Sequence, residues 1–271
     1  MDSKTEIIDK ITPDGIEENL PDFLKSVINI CVTDETESTN SDAKKYASDG
    51  GKEGYLLIAN RQKCGKGRMG RSFFSPEDTG VYMSLVLKPF IVPEKAVFIT
   101  TAAAVSVCKA LEEIGVLNPQ IKWVNDIFVD GKKVCGILTE AGINPATKEV
   151  NYVVMGIGIN IYSPEGDFPD ELKGIAGGIF VDKKADLRNR FIARFLHYFW
   201  GYYEDITSGK HIKEYEERCF ILGEDINIIS NEKITPAKAV SIDENCCLVA
   251  KLLNGEDVVL HSGEISIRKV N

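Results

Sequence analysis

The chain has 271 residues, 44% of them hydrophobic and 27% charged, with a formal net charge of −9 and a pI near 5.0. This is globular composition, which excludes a chain dominated by disorder. The acidic balance excludes the general phosphate-backbone attraction that nucleic-acid binders rely on, so any anion site must be local.

Residues 1–27 are polar and interrupted by Pro13 and Pro21, so they read as short helical pieces of an N-terminal extension, too few for a winged helix. Charges at Asp2, Lys4, Glu6, Asp9 and Lys10 rule out a secretory apolar segment, and no apolar run approaches the roughly 18 residues of a membrane span. A cytoplasmic protein with no membrane contact is expected. Ile28–Val32 has the β-branched content of a strand. A helix follows through Ala47, with Thr39 as its N-cap, Asp42 as a first-turn acid and Gly50-Gly51 as its stop. Tyr55–Ala59 and Val81–Leu87 read as buried strands flanking a glycine-rich basic segment. Pro93 opens an alanine-rich helix that runs to Leu111. Ile121–Val129 and Val134–Leu138 read as strands enclosing the two-residue hairpin signal Asp130-Gly131.

Tyr152–Ile161 is a further apolar strand, where Gly156 and Gly158 would let a ligand approach the backbone. Leu187, Phe191, Phe195 and Phe199 recur every four residues, which predicts a long amphipathic helix with its aromatic stripe in the core. From Gly223 the texture changes to short alternating strands with turns at Asp243-Glu244-Asn245 and Asn254-Gly255, as in a small β-barrel. The expected architecture is α+β: an extension over 1–27, a catalytic domain of mixed sheet and helices over 28–220, and an all-β domain over 223–271. Seven scattered cysteines without CxxC spacing imply free thiols rather than a disulfide framework or a zinc site.

Gly65, Gly67 and Gly70 match GxGxxG, and Gly65–Ser72 nearly matches a P-loop, with Arg71 where lysine is required. Both motifs need a helix immediately afterwards to receive the phosphate, whereas Phe73, Phe74, Pro76 and then a strand follow here. What remains is a loop whose glycines expose backbone N–H groups while Lys66, Arg68 and Arg71 offer charged donors, suiting a polyphosphate or acyl-phosphate. Downstream, Lys122-Trp123-Val124-Asn125-Asp126 lies beside the hairpin that carries Lys133. Asp126 is a candidate to hold magnesium or orient phosphates, and Lys133 to neutralise a carboxylate or phosphoryl oxygen. The same charges read equally well as an edge-strand salt bridge.

Taken together, Ser38-Thr39-Asn40, Gln62–Arg71, Lys122–Asp126, Lys133–Gly136, Gly156–Asn160 and Glu264–Arg268 resemble the biotin protein ligases in order and spacing, over roughly residues 30–268. The resemblance implies a fold related to class II aminoacyl-tRNA synthetases with a small C-terminal β-barrel. It implies activation of biotin by magnesium-ATP to biotinyl-adenylate, then transfer to a lysine of a biotin carboxyl carrier domain. By the same match, Arg68, Lys133 and Asp126 would be catalytic. Ser38, Thr39, Asn40, Gln62, Gly65, Gly67 and Gly136 would join Arg68 and Lys133 in binding biotin. Arg71, Phe74, Lys122, Asn125, Asn160, Glu264 and Arg268 would serve ATP with Arg68 and Asp126, and Asp126 would hold the Mg2+.

Two positions depart from the family pattern: Lys66 stands where arginine is common, and Val124 where proline is usual. Some family members carry an N-terminal winged helix and repress biotin operons. This chain, matching from near residue 35, is expected to be a ligase that does not bind DNA. Dimerisation through an edge strand of the central sheet is a further implication. The competing readings are a lipoate or octanoate protein ligase, which shares the fold, a non-catalytic biotin-binding module, and a nucleic-acid binder using the terminal barrel.

Overall fold

The computed structural model describes residues 9–230 and 233–261 and the backbone of Ser266–Lys269. Two short helices, α1 (Pro13–Asn19) and α2 (Asp22–Lys25), precede strand β1 (Asn29–Thr36), helix α3 (Thr39–Ser48) and strands β2 (Tyr55–Gln62) and β3 (Gly80–Leu87). Helix α4 (Ala96–Glu113) leads to β4 (Gln120–Lys122), β5 (Asp126–Val129), β6 (Lys132–Ile143) and β7 (Val150–Asn160). Helices α5 (Leu187–Tyr203) and α6 (Ile212–Arg218) follow. Strands β1 to β7 form one sheet in the order β1-β2-β3-β7-β6-β5-β4, parallel only between β1 and β2.

Helix α4 packs on α5 and on β6, while α3 lies against β3 and β7. The two helical layers follow from sequence. Helix α4 is apolar almost all round, so it is buried between sheet and α5. Helix α5 turns Leu187, Phe191, Phe195 and Phe199 into the core, and Phe195 stacks on Phe199 at 5.7 Å, as the four-residue recurrence predicts. On the opposite face, α3 buries two apolar residues, Ala43 and Ala47, against Val86 and Val154, together with the polar Thr39 and Asn40. Its small residues bring it close to the sheet and place its N-terminus over the middle strands.

Two local expectations are corrected. Thr39 is the first residue of α3 rather than its cap; Ser38 holds the extended cap position and makes no side-chain capping bond, while the Thr39 N–H donates to Gln62 Oε1. Ile121–Val129 is not one strand. It folds back at Trp123-Val124-Asn125, so that Lys122 pairs with Asp126 and Gln120 with Phe128. The Trp123–Val124 peptide is cis. The Asp130-Gly131 hairpin is present, with both residues left-handed (φ 48° and 73°), the conformation its turn type requires.

The C-terminal region contributes β8 (Asp225–Ser230), β9 (Lys233–Ile242), β10 (Leu248–Leu252), β11 (Asp257–Leu260) and β12 (Ser266–Lys269). They form an antiparallel sheet in the order β11-β10-β9-β8-β12. The described pairings do not link its two edges. This sheet is tied to the first: the Trp123 indole N–H donates to the Cys246 carbonyl at 3.0 Å. Beneath it His211 is buried among Thr101 (2.8 Å), Cys246, Phe98 and Tyr202. Burial pushes its pKa down to about 4. The folded chain therefore resists a proton that the unfolded chain accepts near pH 6.5, and stability should fall as pH drops from about 6.5 through about 4. The expected loss is roughly 1–3 kcal/mol. Urea unfolding at pH 7 and pH 4.5 checks this, and His211→Gln should lose that component of the pH dependence.

Asp9 anchors the N-terminal extension. Its carboxylate, fully buried, accepts from the Tyr162 hydroxyl (2.7 Å) and pairs with the buried Arg188 guanidinium (3.3 Å), which also donates to the Gly80 carbonyl (3.1 Å). Removing one partner of such a pair strands the other charge in the core. Asp9→Ala should therefore destabilise by about 3–5 kcal/mol, read as a lower midpoint in urea.

Candidate functional site

The site is a trough on the α3 face of the sheet, and the strand register explains its shape. Residues directly opposite one another on paired strands share a face. Asp126 pairs with Gly136 and Gly136 with Gly158, while Leu138 pairs with Gly156 and Gly156 with Ser84. Three glycines therefore meet in the middle of the sheet, leaving it without side chains. Two of the spaces are used by neighbours. A Cβ on Gly158 would lie 2.6 Å from the Phe73 ring, and one on Gly156 would lie 1.8 Å from Asn40 Oδ1. The rim comes from Ser38, Thr39, Asn40, Gln62, Lys66, Gly67, Arg68, Arg71, Lys122, Trp123, Asn125, Asp126 and Lys133.

At the β2–β3 side the walls are mainly uncharged polar groups, with Lys66 on the rim. The Thr39 N–H donates to Gln62 Oε1 (2.9 Å), Gln62 Nε2 donates to Ser75 Oγ (3.0 Å), and the Ser75 hydroxyl donates to the Phe73 carbonyl (2.9 Å). Asn40 Nδ2 points to the Leu138 carbonyl (3.3 Å) and Glu140 Oε2 (3.2 Å). Burial alone would raise the Glu140 carboxyl, but the Lys44 ammonium and the Asn40 amide outweigh it and hold it below its usual range. Ser38 Oγ is buried with no hydrogen-bond partner among the described residues.

At the β5–β6 side the walls are charged. Lys133 Nζ lies 2.7 Å from Asp126 Oδ1, and Arg68 Nη1 donates to Asn125 Oδ1 at 3.1 Å. Burial pulls the Arg68 guanidinium below its ordinary pKa, and the Asp126 carboxylate opposes that shift. Asn125 is fixed by donating to the Ile137 carbonyl (2.8 Å), and the turn beneath it by the Tyr215 hydroxyl donating to the Val124 carbonyl (3.0 Å). The polar and charged ends are three interstrand steps apart, on the order of 14 Å.

Arg68 is delivered by the glycine-rich segment, which forms a hairpin rather than a phosphate loop. Gly67 N–H donates to the Arg71 carbonyl (2.7 Å), Arg71 N–H to the Arg68 carbonyl (3.2 Å) and Phe73 N–H to the Gly65 carbonyl (2.8 Å). Met69 and Gly70 both take left-handed backbone at the tip (φ 56° and 72°).

Most of the residues singled out from sequence converge here, with three exceptions among the described ones. Gly65 and Phe74 face an adjoining groove, where Phe74 packs edge-on against Phe168, and Asn160 is buried at the end of β7 opposite Gly80. Glu264 lies outside the described residues. Of Arg268 only the backbone is described, paired with Asn227 in β12. Sequence reasoning missed Phe73, Met83, Ser84 and Ser75. Their types carry no chemical signal, and only the β3 register and the hairpin closure bring them to the trough.

The arrangement agrees with known proteins. Residues 30–160 match the family model described as the biotin/lipoate A/B protein ligase family, and residues 221–268 match the biotin protein ligase C-terminal domain. A bifunctional ligase/repressor BirA from Bacillus subtilis is 45% identical over 139 residues, which is 51% of this chain and 42% of that protein. A biotin–[acetyl-CoA-carboxylase] ligase from Mycobacterium tuberculosis is 31% identical over 171 residues, 61% of this chain and 60% of that one. These matches span about half the length of those relatives. A biotin protein ligase from Aquifex aeolicus, solved in complex with biotin and ATP, superposes with a TM-score of 0.71 at 26% identity, covering 89% of this chain and 99% of that one. Matched in both its seven-stranded sheet and its C-terminal sheet, the chain belongs to the biotin protein ligase family.

Proposed function

We propose that this protein activates biotin with ATP and transfers it to a lysine of a biotin carboxyl carrier domain. The observation that carries the reading is the polarity of the trough: mainly uncharged hydrogen-bonding groups at one end, and the opposed charges of Arg68, Asp126 and Lys133 at the other. A ureido head fits the first and a carboxylate the second, with the glycine floor giving room for the ring between. Ser38, Thr39, Asn40 and Gln62 bind the head. Arg68 and Lys133 neutralise charge on the carboxylate and the α-phosphate as the carboxylate oxygen displaces pyrophosphate, and the carrier amine then displaces AMP. Lys122, Asn125 and Arg71 border the nucleotide, and the catalytic unit is residues 28–220.

A single carboxylate, Asp126, stands at the charged end, and no cluster of three or more metal-binding side chains occurs among the described residues. That donor set fits magnesium arriving with the nucleotide phosphates: Asp126 would hold it, and the ion would supply charge neutralisation to the phosphate oxygens.

Magnesium-dependent pyrophosphate exchange into ATP, compared for biotin, lipoate and no acid, tests the reading. Exchange with biotin alone supports it. Exchange with lipoate moves the protein to the sister activity, and no exchange with either removes the adenylating function.

A further inference from the structure

Ser84 is buried in the centre of β3 with no accessible surface, and no part of the proposed chemistry uses it. Its hydroxyl lies 2.6 Å from Asn40 Oδ1 and 2.8 Å from Thr39 Oγ1. A serine hydroxyl has one proton, so these two contacts pose a puzzle with a determinate answer. The Asn40 amide is oriented: its Nδ2 faces two acceptors, the Leu138 carbonyl and Glu140 Oε2, so Oδ1 is the atom turned to Ser84. An amide oxygen only accepts, and the Ser84 proton must therefore go to Asn40. The Thr39–Ser84 contact is then made by the Thr39 proton. Gln62 Oε1, the other group near Thr39 Oγ1 at 3.1 Å, also only accepts. Both choices turn the Thr39 proton into the protein.

We infer that Ser84 is a positioning residue that fixes the Asn40 amide and, with Gln62, keeps the Thr39 proton turned inward, so that Thr39 Oγ1 is an acceptor toward the trough and the unpartnered Ser38 hydroxyl is available as the donor. The ligand edge this selects presents an N–H beside a carbonyl oxygen, as a cyclic urea does. A dithiolane or plain acyl chain presents neither, and would leave the Ser38 hydroxyl buried without a partner and the acceptor face of Thr39 Oγ1 unfilled. The inference rests on the proposed biotin activation and adds the group that decides which acid is accepted.

Ser84→Ala leaves Asn40 Oδ1 buried without a donor and takes from Thr39 one of its two hydroxyl partners, so the start of α3 that presents Ser38 and Thr39 is no longer held in one arrangement. The expected result in pyrophosphate exchange is a KM for biotin raised roughly tenfold, the worth of one buried hydrogen bond, with the KM for ATP unchanged. Ser84→Thr, which keeps the hydroxyl on a residue suited to a strand, should restore the KM for biotin to within a few-fold. An unchanged KM for biotin in Ser84→Ala overturns the inference. So does an equal rise in both KM values with a large fall in melting temperature, which would mark a purely structural residue. Wild-type protein that shows no biotin-dependent exchange removes the proposed function and the inference together, whereas wild-type exchange with a silent Ser84→Ala removes only the inference.

Discussion

Gly156→Ala should abolish biotin-dependent exchange, lowering it by at least about a hundredfold, while the protein stays folded. The added methyl would sit 1.8 Å from Asn40 Oδ1 and 2.6 Å from its Cγ. Neither side can give way easily. The Asn40 amide is held by Ser84 on one side and by the Leu138 carbonyl and Glu140 on the other, and Gly156 is held in β7 by strands on both flanks. Expelling the amide breaks buried hydrogen bonds and tilts the first turn of α3, which carries Ser38 and Thr39. The stability loss should be about 1–3 kcal/mol, typical of overpacking, measured as a melting shift beside the exchange assay. Gly201 in α5 provides the control. A Cβ there meets nothing within 4 Å, and Gly201→Ala in the last turn of α5 should leave exchange intact and add up to about 1 kcal/mol. Retention of normal exchange by Gly156→Ala would mean that Asn40 is not part of the recognition end.

The contrast between these glycines also shows what was legible in the sequence. Gly156 and Gly158 share a face by simple alternation, so a side-chain-free stretch of β7 was readable. That Gly136 continues it depends on the β6–β7 register, which no local pattern encodes. The four-residue aromatic recurrence of α5 and the Asp130-Gly131 turn were readable because periodicity and left-handed backbone are local properties. The fold-back at Trp123-Val124-Asn125 was not. Its apolar residues continue on both sides, and the groups that hold the turn, Tyr215 and Cys246, lie about 90 and 120 residues away in sequence. Ser84 was invisible for the same reason: a lone serine in an apolar run has no meaning until α3 is laid across it. The charged groups were legible as types, Arg68 in a glycine-rich segment and Lys133 beside the Asp130-Gly131 turn, but that Arg68 meets Asn125 and Lys133 meets Asp126 at one end of the trough depends on the fold-back and on the β5–β6 register. The Asp9–Arg188 pair joins positions 179 apart and could only emerge from the packing.

Lys133→Ala should lower adenylate formation by about 10²–10³-fold with little change in melting temperature, and the geometry separates its two possible roles. Lys133 pairs with Asp126 at 2.7 Å, and both side chains are partly open, at 30% and 24% exposure. An ion pair so placed adds at most about 1 kcal/mol to stability. The backbone at Lys133 does not depend on its side chain. Its N–H donates to the Ile175 carbonyl (2.8 Å), and its own carbonyl accepts from Gly177 N–H (3.1 Å), so removing the amine leaves the β6 start in place. What is lost is one of the cations at the charged end of the trough, the one paired directly with Asp126. Asp126 is then less fully compensated as a carboxylate and triphosphate approach, and the barrier rises where negative charge gathers on the α-phosphate. Lys133→Arg should recover part of the rate, because charge is restored while the compact donor is not. Biotin affinity measured without ATP should fall far less than the rate, since the neutral recognition end is intact. Normal exchange in Lys133→Ala with a melting temperature lowered by several degrees would instead make Lys133–Asp126 a structural bridge, and Arg68 would remain as the cation facing the developing charge.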